Sequence, residues 1–126
     1  TTIGTTMLAN KLAAVALSPE VRPRLIKRTR DYIRRGFPIL DGWLENQESL
    51  FELVPPQAAA IAFARYHLEI NSTALTERLM HDESVLIVPG DHFGMDHHLR
   101  ISFGLPPDTL RAGLERIRNV LVELQG

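Results

Sequence analysis

Residues 99–103 read Leu-Arg-Ile-Ser-Phe, and this stretch constrains the fold more than any other. Apolar and polar side chains alternate with period two, the pattern of a strand with one face in a core and the other free. Leu99, Ile101 and Phe103 share the core face, while Arg100 and Ser102 share the opposite one. A continuous apolar run, Ser84 to Val88, precedes it and stops at Pro89-Gly90, as a buried strand would. Pro106-Pro107-Asp108 follows and opens a helix whose stripe is Leu110, Leu114, Ile117, Leu121 and Leu124. A sheet with one helix-covered face is the packing these patterns require.

The rest of the chain extends this picture. Residues 6–17 read as a helix with Leu8, Leu12 and Val15 on one face. Ser18 suits an N-cap and Pro19 a first helical position, which predicts a long helix over 19–46. Its stripe is Leu25, Thr29, Tyr32, Ile33, Gly36, Leu40, Trp43 and Leu44, and its other face is basic. Pro38 removes a backbone hydrogen bond and crowds the carbonyl of Arg34, so a bend is expected near Gly36 and Pro38. Residues 48–57 read as an irregular connection through Pro55-Pro56, and 58–66 as a strand with Ile61 and Phe63. Asn71 and Ser72 can cap a helix carrying Leu75 and Leu79. The expected fold is α+β: a two-layer domain with a short three-stranded sheet covered by helices, and a long bent helix leading in. The division expected is a helical segment over 1–46 and a small α+β domain over 47–126.

Composition narrows the function. The 126 residues carry a net charge of −1, which offers no electrostatic case for nucleic acid or an anionic membrane. With no cysteine, disulfides and thiolate chemistry are excluded. No apolar run reaches the roughly 18 residues of a membrane span, and no signal peptide is visible at the N-terminus. A cytoplasmic location is the expectation. The chain does not begin with Met, and a processed or excised piece of a longer protein is expected.

Arg100 is the first chemical candidate. A guanidinium fixed on a strand loses little entropy on binding and fits a carboxylate with two parallel hydrogen bonds. The other reading is a solvated sheet face or a salt bridge within the chain. Asp91, His92, Asp96, His97 and His98 form a second cluster. All are metal-binding types, but they lack the helical or knuckle spacing that fixes ligands, so no metal site is expected. There is no nucleophile elbow and no glycine-rich phosphate loop. The two lysines, Lys11 and Lys27, both fall on expected helices without an apolar setting that would lower their pKa. Schiff-base chemistry by this chain alone is therefore not expected, and no catalytic residue is assigned.

The segments "VLIVPGDHFG", "LRISFG" and "LRAGLERIRNVL", taken in order, resemble the C-terminal end of class I/II aminotransferases, pyridoxal-phosphate enzymes of the aspartate aminotransferase fold type. "TTIGTTMLANKLAAVAL" and "RTRDYIRRGFPILDGWL" are similar to the helices that follow the cofactor lysine in that family. The resemblance implies that Arg100 binds the substrate α-carboxylate. It implies that the loop Pro89 to Gly94, with Phe93 and Gly94, lies near the active-site entrance. It also implies that residues 1–46 link to a large cofactor-binding domain, with the cofactor lysine upstream of Thr1. The parent would be a homodimer that exchanges amino groups between an amino acid and a 2-oxo acid. This chain alone would bind no cofactor and be inactive. Two features depart from the pattern: Gln57-Ala58 stand where a glycine pair is common, and His97-His98 are not a family feature. The alternatives are an aminotransferase-like ligand-sensing domain of a transcription regulator, or a non-catalytic carboxylate-binding or interaction module.

Overall fold

The computed structural model describes residues 4–47 and 49–126. They form two compact units, one running to Asp31 and the other from Tyr32 to Gly126.

In the first unit, α1 spans Met7–Ala16 and begins where the Thr6 side chain accepts the Ala9 N–H at 3.2 Å. Leu8, Leu12 and Val15 do share a face, but all three are exposed and α1 buries no residue. The long helix α2 spans Arg22–Glu45, starting three residues later than the Ser18-Pro19 signal predicts. Ser18 caps a turn instead: its carbonyl accepts the N–H of Val21 and of Arg22, and its hydroxyl donates to Val15 O at 2.7 Å. Pro23 then lies in the first helical turn, where a missing N–H costs nothing. Lys27 pairs with Asp31 at 2.6 Å, one turn along the helix.

The second unit holds the rest of α2, which continues past Pro38 to Glu45. Its sheet has four antiparallel strands in the order β1-β2-β4-β3: β1 (Phe51–Glu52), β2 (Ile61–Tyr66), β3 (Val88–Pro89) and β4 (His98–Ser102). The expected three strands are thus corrected to four. The added strand, β1, is two residues long and pairs Phe51 with Tyr66, too short to show any periodicity in sequence.

The apolar run at 84–88 is the second correction. Only Val88 and Pro89 pair with β4. Ser84 adopts a left-handed conformation (φ 55°) at the end of α3 (Ser72–Glu83). There the Ser84 N–H bonds Met80 O and the Val85 N–H bonds Leu79 O, both at 3.1 Å. This C-terminal closure satisfies the last carbonyls of the helix and keeps the following residues from the sheet. Leu86 is left 86% exposed.

One sheet face and three helices make the core. Ala62, Ala64, Tyr66, Leu99 and Ile101 are buried together with Leu40 and Leu44 of α2 and Leu75 and Leu79 of α3. Helix α4 (Pro107–Gln125) contributes Leu110, Leu114, Ile117, Val120 and Leu121, and it starts with Pro107 in its first turn, as expected. Burial of each large side chain stabilises the unit by about 1.5–3 kcal/mol. Gly36 is where α2 meets the strand end most closely: a Cβ there would stand 1.8 Å from the Phe103 carbonyl oxygen. The stripe read from sequence holds from Tyr32 onward, where Gly36, Leu40 and Leu44 are buried.

Candidate functional site

The register decides what shares the sheet's other face. Phe63 of β2 and Val88 of β3 both stand opposite Arg100, and Arg65 stands opposite His98. Antiparallel partners project to the same side, so Phe63, Arg65, Val88, His98 and Arg100 occupy one face. Arg100 is half-buried there. Among the described residues its side chain has no hydrogen bond and no carboxylate partner. Its guanidinium carbon lies 6.0 Å from the centre of the Phe93 ring, within cation–π range.

Phe93 reaches that position through a short 3₁₀ turn, Gly90–Phe93, ended by Gly94 at φ 70°. A residue in this left-handed region is best a glycine. The turn closes tightly at its other end too, since a Cβ on Gly90 would meet the Met95 carbonyl at 2.0 Å. Phe93 stands edge-on to Phe63 with ring centroids 6.0 Å apart. Phe63 in turn carries the His98 imidazole, stacked at 4.9 Å. The structure therefore brings together two of the residues read from sequence, Arg100 and Phe93, and adds Phe63 and His98. Gly94 closes the turn that positions Phe93: its N–H donates to Asp91 O at 3.0 Å, and nothing lies within 4 Å of where a Cβ would stand. The strand begins at His98, one residue before the apparent alternation. Sequence did hold the signal, because 98 and 100 have the same parity.

The Asp and His cluster has a different occupation. The Ser72 N–H donates to Asp96 Oδ1 at 2.8 Å, the Thr73 hydroxyl to Asp91 Oδ2 at 2.9 Å, and the Asp91 N–H to Ser72 Oγ at 2.9 Å. Asn71 accepts the Ala74 N–H at 2.8 Å, as its cap signal predicts. Two loop carboxylates thus sit at the N-terminus of α3, where the helix dipole favours negative charge. The Ser72 N–H, then the His97 N–H, hold the Asp96 carboxyl below the usual range. Nearby, the Tyr66 hydroxyl donates to Ile70 O at 2.7 Å. Burial, followed by the charges of Asp96 and Asp91, raises its pKa. Among the described residues no three His, Asp or Glu side chains are placed to hold one metal ion.

The two lysines lie on the helices of the first unit. Lys11 is exposed on α1, and Lys27 is exposed and paired with Asp31. No glycine-rich loop cradles a phosphate.

The family model for aminotransferase class I and II matches residues 1–117. The chain belongs to this family. It is 31% identical over 123 residues to capreomycidine synthase of Streptomyces vinaceus, covering 95% of this chain and 30% of that protein. It is 29% identical over 143 residues to a bifunctional aspartate aminotransferase and glutamate/aspartate-prephenate aminotransferase of Petunia hybrida, covering 98% of this chain and 28% of that protein. The fold matches a PLP-dependent aminotransferase from Streptococcus suis with a TM-score of 0.83 and 25% identity, over 94% of this chain and 31% of that one. The aminotransferase relatives are thus about three times longer than the segment described, and the α+β fold with its small sheet is common to both. No described helix is long and apolar enough to cross a membrane.

Proposed function

We propose that this chain is the substrate-carboxylate half of a pyridoxal-phosphate aminotransferase site. The observation that carries the reading is Arg100: a half-buried guanidinium on the free sheet face, steadied by Phe93, with no carboxylate partner among the described residues. The salt-bridge alternative needs such a partner. A guanidinium of this kind takes a carboxylate through two parallel hydrogen bonds, and family membership supplies the substrate class: amino acids and 2-oxo acids.

The full-length parent transfers an amino group between those two. Pyridoxal phosphate serves there as the electron sink. Its lysine anchor and phosphate seat belong to the large domain, to which residues 1–46 lead. This chain alone binds no cofactor and is inactive. The parent is a cytoplasmic homodimer that engages neither nucleic acid nor membrane.

The test is Arg100→Ala in the full-length parent. Loss of a bidentate charged contact present throughout the reaction lowers kcat/KM by several kcal/mol of transition-state binding. Arg100→Lys keeps the charge but loses the fork, and falls between. Normal kcat/KM after Arg100→Ala sinks the assignment.

A further inference from the structure

Carboxylate binding by Arg100 leaves one polar group on the same face without a task. His98 precedes Arg100 by two residues on β4, so the two side chains leave the same side with Cα atoms about 7 Å apart. The imidazole is held from two directions. It lies nearly flat on Phe63, with ring planes 21° apart, and its Nδ1 is 2.9 Å from the Asp96 carbonyl oxygen. A carbonyl oxygen only accepts, so Nδ1 carries the proton. The neutral ring then presents Nε2 as a lone-pair acceptor.

His67, His81 and His97 each lie beside a carboxylate, Glu52, Asp82 and Asp96 respectively. Among the described residues, Nε2 of His98 has no hydrogen-bond or ion-pair partner. The residue is partly exposed and borders an open cleft of about 460 Å³ lined by residues 65–69 and 96–98, Glu69 and Asp96 included, while Arg100 lines a separate, larger cleft beside α4. An oriented acceptor with no internal partner, one strand pleat from a carboxylate-binding cation, has the form of a second recognition point.

We propose that His98 Nε2 accepts a hydrogen bond from a donor on the substrate side chain (a hydroxyl, amide or guanidinium N–H) while Arg100 holds the α-carboxylate. The inference rests on the Arg100 reading above. His98 is then a specificity residue. It favours side chains ending in a donor over apolar ones of equal shape.

The experiment compares matched amino acids in the full-length parent: 2-amino-5-hydroxypentanoate against norleucine, and homoserine against norvaline. The expected result is a preference for the donor-bearing member in each pair. His98→Phe preserves the stack on Phe63 but removes the acceptor, and it lowers that preference about tenfold, a change of about 1.4 kcal/mol. Norleucine turnover stays within about twofold. His98→Gln, whose carbonyl can accept, restores part of the preference. Unchanged ratios in His98→Phe overturn the proposal, and so does an equal fall for every substrate, which marks a structural role only. Arg100→Lys separates the two readings, since it lowers both members of each pair alike. If it lowers neither, the carboxylate assignment fails on its own.

Discussion

The Asp96 carboxylate accepts the backbone N–H of Ser72 at 2.8 Å and so caps a helix 24 residues away in sequence. A charged acceptor on a helix N-terminus is stronger than a neutral one. Asp96→Asn keeps an acceptor but loses the charge, so the variant unfolds at lower temperature than wild type at pH 6. The folded-state pKa of Asp96 is depressed, so its contribution is present above the unfolded value near 4 and is lost as pH falls through the folded value. The difference in Tm between wild type and variant therefore shrinks as pH is taken down through that range. A difference independent of pH would show that the charge plays no part.

Gly36 and Gly42 lie on the same helix and respond oppositely to a methyl group. A Cβ on Gly36 collides with the Phe103 carbonyl at 1.8 Å, and that backbone cannot withdraw without moving the strand end. Gly36→Ala costs about 3 kcal/mol or more, through overpacking. Gly42 has nothing within 4 Å of a Cβ position. Gly42→Ala raises helix propensity and stabilises by about 0.5–1 kcal/mol. Denaturant unfolding of the two variants beside wild type measures both signs.

These elements also show how far local sequence reaches. Arg100 was legible because alternation is a local pattern and leaves one side for the cation. The α4 stripe and Pro107 were legible for the same reason. Phe63 beneath His98 depends on the register between β2 and β4, which no stretch of either strand specifies alone. Asp91 and Asp96 look like metal ligands by type, and only the tertiary approach of their loop to α3 makes them caps. Ser84 to Ile87 are apolar enough for a strand, yet a left-handed residue at Ser84 spends the nearest N–H groups on the helix end.

Tyr66 joins the sheet to the turn before α3 through its hydroxyl, which donates to Ile70 O at 2.7 Å. Tyr66→Phe leaves that carbonyl without its partner and costs about 1–2 kcal/mol. The phenol's pKa is raised by burial first. Its stabilising contribution is therefore complete below the ordinary value near 10 and falls as pH rises beyond it. In a Tyr32→Phe background, absorbance of the tyrosinate reports Tyr66 alone. The signal should stay absent as pH passes 10 and emerge only at higher pH or with unfolding. Ordinary titration near pH 10 in the folded chain would remove the burial argument.

Phe93 offers the sharpest check on how Arg100 is held. The guanidinium carbon stands over the ring, 6.0 Å from its centroid, and the ring is itself 6.0 Å from the Phe63 centroid, so it braces the cation. An exposed cation–π contact contributes about 0.5–1 kcal/mol. On the proposal that Arg100 holds the substrate carboxylate, Phe93→Ala in the full-length parent raises KM about two- to fivefold, because an orienting contact of this kind acts equally on the bound substrate and the transition state. Turnover at saturation stays near wild type. Phe93→Trp, with a stronger π face, holds KM at or below the wild-type value. If Phe93→Ala instead lowers kcat while leaving KM unchanged, the ring acts on the reacting atoms and not on the carboxylate clamp.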